Sequence, residues 1–82
     1  MPDGQAASPE DALDRAEQVD RLQRALSRLS DAEREVILLR HFSQLSFKEV
    51  AEAMGTPLGT ALARAHRALK HLRAVLSDQA ET

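Results

Sequence analysis

Between Ser46 and Pro57 the chain opens a helix, closes it and opens another, with almost no connecting residues. Ser46-Phe47-Lys48-Glu49 has the form of a capping box. The serine hydroxyl can accept from the backbone N–H of Glu49, and the Glu49 carboxylate can reach back to the N–H of Ser46. Val50, Ala51 and Met54 recur at helical spacing with Phe47, and Gly55 supplies the left-handed residue on which helices commonly end. Thr56 is placed to cap the next helix and Pro57 to take its first position. A short helix, a glycine-bearing turn and a longer helix form the helix-turn-helix pattern. On DNA, the first helix of such a pair crosses the backbone and the second lies in the major groove. The pattern predicts a third helix ending near Met54 and a fourth running from Pro57 to about Leu76.

Two further helices are expected upstream. Ser8-Pro9-Glu10-Asp11 joins a cap, a first-turn proline and acids at the positive end of the helix dipole. The helix it opens should run to about Leu29, with Leu13, Ala16, Val19, Leu22, Leu26 and Leu29 as its apolar stripe. Ser30-Asp31-Ala32-Glu33 is a second capping box. Its helix should continue to about Phe42 on Val36, Ile37, Leu39 and Leu38, before a turn over His41–Leu45. Residues 1–8 read as a linker stub and 78–82 as a frayed tail. The prediction is an all-α, four-helix domain over 9–77, related to winged-helix DNA-binding folds but without a wing. Its helix-turn-helix occupies 46–76.

Charge is divided along the chain. The 82 residues carry a net charge of −2, which by itself argues against nucleic acid. Yet Met1 to Asp20 holds six acids against Arg15 alone, while Gly59 to Leu76 holds Arg64, Arg67, Lys70 and Arg73, two histidines and no acid. A polyanion responds to local charge, since salt screens anything beyond about 8–10 Å. At about 100° per residue, Ala61, Ala65, Ala68, Leu69, Leu72 and Leu76 fall on one side of the fourth helix, its core face. Thr60, Ala63, Arg67, Lys70 and Ala74 occupy the opposite arc. His66 and Arg73 flank it on one edge and Arg64 and His71 on the other, with Leu62 at the border of the core.

Other classes of function find no support in the residues. There is no cysteine, hence no disulfide and no cysteine-based zinc site. His66 and His71 are five apart and so do not share a helix face, and no carboxylate accompanies them at ligand spacing. Neither a nucleophile elbow nor a P-loop is present, and small helices offer little room for a substrate pocket. The expectation is a non-enzyme without cofactor, metal or small-molecule substrate. Leu62, Leu69 and Leu76 could form a heptad seam, but only about two heptads exist and Ala65 is a poor knob. No apolar run approaches the ~20 residues that span a bilayer, and the first residues lack the basic cluster of a secretory signal. The chain is expected in the cytoplasm.

From Leu22 to Leu76 the chain resembles region 4 of bacterial sigma factors, especially the extracytoplasmic-function group. The resemblance is carried by Leu22-Gln23-Arg24-Ala25-Leu26-Ser27-Arg28-Leu29, Glu33-Arg34-Glu35-Val36-Ile37-Leu38-Leu39-Arg40 and Leu45-Ser46-Phe47-Lys48-Glu49-Val50-Ala51. It continues through Met54-Gly55-Thr56-Pro57-Leu58-Gly59-Thr60, Arg64 and His66-Arg67-Ala68-Leu69-Lys70-His71-Leu72-Arg73. It implies transcription initiation: recognition of the minus-35 promoter element through the helix-turn-helix, contact with the β flap of RNA polymerase, and control by an anti-sigma factor. By the same resemblance Arg67 matches a position that contacts bases or phosphate, and His66 one that often reaches DNA. Thr60 lies at the groove-facing end of the helix. Ser46 and Lys48 sit where a helix start can hold phosphate, and Arg40 matches a phosphate-contacting arginine. Lys70, Arg64 and Arg73 would hold further phosphates. Leu62 and Ala63 depart from the pattern: relatives often have Lys or Arg at the first and Ser at the second. Apolar contact with thymine methyls could partly replace those hydrogen bonds. Two alternatives stay open. One is a sigma-like protein-interaction module that binds an anti-sigma factor or polymerase with little DNA contact. The other is a dimeric regulator on a palindrome. Nothing resembles the region of a sigma factor that melts the promoter, and the acidic lead looks like an inter-region linker, so a fragment is expected.

Overall fold

A computed structural model describes residues 8–80 of the chain; of the expected linker stub over 1–8, residues 1–7 lie outside them, as do 81–82 of the expected tail. Four α-helices follow one another: α1 (Pro9–Ser27), α2 (Asp31–Ile37), α3 (Phe47–Met54) and α4 (Leu58–Ala80), with a π-helical turn over Leu38–Phe42. No strand occurs among the described residues.

The helix starts follow the side-chain chemistry. Ser8 Oγ accepts from Asp11 N at 3.1 Å, with Pro9 as the first helical residue. Both capping boxes are complete. Ser30 and Glu33 exchange bonds of 3.0 and 3.2 Å, and Ser46 and Glu49 bonds of 2.8 and 3.1 Å. The predicted cap at Thr56 does not form. Ala61 N donates to the carbonyl of Pro57, so α4 begins at Leu58, one residue later than expected. Thr56 Oγ1 is buried and makes no hydrogen bond. Proline supplies the fixed φ of the entry, and the helix starts without a hydroxyl cap.

The helix ends differ more from expectation. α1 stops at Ser27 because Arg28 N and Leu29 N bond back only three residues, to Ala25 O and Leu26 O. This tightened last turn swings Leu29 out of the helix and into the core. Arg34 then seals the join: its Nε donates to Leu26 O and its Nη2 to Leu29 O, at 3.1 and 3.2 Å. The second helix does not reach Phe42 as an α-helix. From Leu38 it widens to π geometry, with Ser43 N donating to Leu38 O. Gln44 takes a positive φ of 59° to turn the chain toward α3. The fourth helix overruns the expected Leu76 by a turn. Asp78 pairs with Arg28 at 3.6 Å and Gln79 donates to Arg21 O at 3.2 Å, so 78–80 dock on α1 instead of fraying.

The core comprises Ala25, Leu26 and Leu29 from α1 and its exit, Val36 and Ile37 from α2, and Val50 and Ala51 from α3. From α4 come Ala61, Ala65, Ala68, Leu72 and Val75. Leu69 and Leu76, expected in this set, are partly buried against it, and Val75 takes a place not anticipated. The α1 stripe needs a larger correction. Leu22 packs on the core, but Leu13 and Val19 are 62 % and 53 % exposed. Steps of three residues each fall about 60° short of a full turn, so Leu13, three such steps before Leu22, lies on the opposite side of the helix. The first half of α1 projects free of the domain that its second half completes.

Candidate nucleic-acid interface

The site is built from the start of α3 outward. Gly55 adopts φ +66° and ψ 35°. Thr56 N donates to Ala51 O and Gly55 N to Glu52 O, the two bonds of a Schellman ending. The turn is so tight that only Thr56 and Pro57 separate it from α4. Three alanines, Ala61, Ala65 and Ala68, form the inner side of α4's first turns. Their small side chains let α2 and α3 approach it closely, because side-chain bulk at the contact sets the distance between packed helices. The rest of that stretch is left outside.

On this outer side Leu62, Ala63, His66, Arg67, Lys70 and Arg73 are exposed, and Thr60 and Arg64 are half-buried. Ser46 and Lys48 are exposed at the head of α3. The ion pairs among the described residues are Arg24–Asp20, Arg28–Asp78, Arg34–Asp31 and His71–Glu33. None involves Arg64, Arg67, Lys70, Arg73 or Lys48. The acids among the described residues therefore form no ion pair with the cations of α4's free face.

Three of the candidate residues have duties within the protein. Arg40 is half-buried. Its guanidinium carbon lies 4.7 Å from the centre of the Phe47 ring, and Nη1 donates to Leu45 O at 3.1 Å. It fastens the π-turn to the start of α3 while its Nε is buried without a partner. Ser46 spends its backbone N–H on Glu49, which is held below the usual carboxylate range by that bond and by the Ser46 hydroxyl. An anion arriving at α3 therefore meets Glu49 as well as Lys48. His71, placed by the sequence on the flank of the basic face, has Nδ1 3.0 Å from Glu33 Oε1. Nothing local in the sequence signals this contact, since the two residues are 38 apart.

Chemically, the arrangement presents flexible and planar cations, small side chains and two exposed leucines, Leu58 and Leu62, on one helix braced by another. Among the described residues no group of three or more His, Cys, Asp or Glu could hold a metal. No helix of the described residues is long and apolar enough to cross a membrane.

Residues 20–72 match the family model described as Sigma-70, region 4. The chain belongs to the sigma-70 region 4 family. Its helix-turn-helix and the two capping boxes all lie within or beside the matched stretch. It is 37 % identical over 70 residues to the ECF RNA polymerase sigma factor SigW of Bacillus subtilis, an alignment that covers 85 % of this chain and 37 % of that protein. It is 39 % identical over 80 residues to an RNA polymerase sigma-E factor of Streptomyces antibioticus, covering 96 % of this chain and 42 % of the relative. With the ECF RNA polymerase sigma factor RpoE of Cereibacter sphaeroides the identity is 42 % over 57 residues, covering 70 % and 32 %. The chain thus spans about two-fifths of the length of these relatives. The resemblance seen from Leu22 to Leu76 is a family relationship, of the extracytoplasmic-function kind.

Proposed function

We propose that this sigma region 4 domain serves transcription initiation by reading the minus-35 element of a promoter while it rests on RNA polymerase. The observation that carries the reading is the set of cations on α4's outer face that pair with no acid among the described residues, while the arginine pairs lie elsewhere. Phosphates supply most of the affinity of a DNA-binding protein, and an uncompensated cationic helix is what they recognise.

In this reading α4 enters the major groove with Thr60, Leu62 and Ala63 nearest the bases. Arg67 contacts base or phosphate, and Arg64, His66, Lys70 and Arg73 line the groove walls. Lys48 and the hydroxyl of Ser46 meet the backbone where α3 crosses it. Arg40 acts mainly by holding α3 in place, because its ring contact and its bond to Leu45 O occupy much of the guanidinium. The polymerase flap would find apolar surface on other elements. Leu38 and Phe42 are 39 % and 55 % exposed, beside an open cleft of about 460 Å³ lined by Asp31, Arg34, Glu35, Leu38 and Leu39. An anti-sigma factor covering either surface would switch the domain off.

The test is a titration with duplexes that the chain selects from a randomised pool. Arg67→Ala should cost about 1–3 kcal/mol of binding if it contacts a base. Equal binding by the variant would count against the assigned face. Affinity should fall steeply as salt is raised, by about 0.9 in log–log slope for each phosphate neutralised; a flat response would speak against phosphate contact.

A further inference from the structure

We infer that Glu33 is a positioning residue for DNA binding: through His71 it fastens the middle of α4 to the start of α2, most firmly when the imidazole carries a proton. This rests on the DNA-binding reading above. Glu33 Oε1 accepts from Ser30 N at 3.0 Å and lies 3.0 Å from His71 Nδ1. One carboxylate therefore both closes the capping box of α2 and grips the recognition helix. Of the ion pairs among the described residues, only this one and Arg28–Asp78 reach α4. Arg28–Asp78 lies at the far end of the helix. The pair at His71 sits one turn beyond Arg67, on the flank that adjoins it.

The charges around the clasp leave Glu33 as the partner of His71. On α4, Arg64 precedes it on the same flank, Arg67 lies on the adjoining arc, and Asp78 follows, answered by Arg28. On α2, Arg34 is turned toward Asp31 and the carbonyls of Leu26 and Leu29, and Glu35 is exposed. On α1, Arg24 is answered by Asp20. Without His71, Glu33 would present a bare carboxylate close to the phosphate-facing edge. With a protonated His71 that charge is cancelled and α4 is braced against α2. The Glu33 carboxyl lies below its ordinary value chiefly because of the Ser30 backbone bond, with His71 next.

Glu33→Gln isolates the clasp, because glutamine at this position still completes a capping box. Binding of the wild-type chain, Glu33→Gln, His71→Gln and the double variant to the selected duplex is compared between about pH 6 and pH 8, the range in which histidine changes charge. Removing an acid from a DNA-binding surface ordinarily strengthens binding. The clasp predicts the reverse near pH 6: Glu33→Gln binds roughly two- to fivefold more weakly than wild type, the range of a partly exposed ion pair. The gap narrows toward pH 8, and the double variant is no weaker than either single one. Thermal melting followed alongside shows all four chains folded at the assay temperature. Equal or tighter binding by Glu33→Gln near pH 6, or losses that add in the double variant, overturns the proposal. If the wild-type chain selects no duplex at all, the DNA-binding reading falls and the clasp loses its purpose with it. If the chain does bind and Glu33→Gln is indifferent to pH, the clasp alone is refuted.

Discussion

On the proposed DNA-binding reading, Leu62 shows how one side chain can set the strength of a face. It stands 43 % exposed on the outer side of α4, at a position where the family resemblance leads one to expect a cation. A lysine there needs no burial. Leu62→Lys should therefore tighten DNA binding and steepen the salt slope by about 1, the signature of one added phosphate contact. Titration at two salt concentrations checks both. The other residues of this face were legible from periodicity, because burial of the Ala/Leu side leaves them no other place. The roles of Arg40 and His71 were not. Arg40 looked free because its partners, the Leu45 carbonyl and the Phe47 ring at the start of α3, are brought to it by a turn whose path depends on the π-geometry before it. His71 looked free because Glu33 comes from a different helix.

At the scale of elements, starts were read more closely than stops. A helix start is written in side chains: both serine boxes and the Ser8 cap form as their spacing dictates. Ends depend on what the last turn meets. α4 continues to Ala80 because α1 offers Arg21 and Arg28 to its final turn. The apolar positions of α1 misled for a geometric reason, a run of three-residue steps that winds around the helix instead of marking one side. It follows that the free half of α1 does little to hold the domain together. A chain beginning at Asp20 should melt within about 0.5 kcal/mol of the full one, as substitutions away from buried features do. Circular dichroism melts of the two chains measure this. A loss of several kcal/mol would mean that Leu13 and Val19 find a partner in the folded domain.

For the molecule as a whole, acid should be the condition that loosens it. Glu33 and Glu49 both lie below their ordinary values when folded, each held first by the backbone N–H of its capping serine. A group whose folded value is depressed adds stability above its unfolded value and withdraws it as the pH falls through the folded one. Melting temperatures should thus drop as the pH falls below about 4.5. The double variant Glu33→Gln/Glu49→Gln should show a shallower drop, and scanning calorimetry across that range would register it. An unchanged acid limb would remove the two boxes as its source.

Alanine at 61, 65 and 68 makes the seam beneath the reading helix as thin as side chains allow. All three are buried, and bulk added at a packed helix contact acts as a wedge. On the proposed reading, how deeply the cationic face can sink between two DNA strands is governed from beneath by methyl groups on the buried side of the helix.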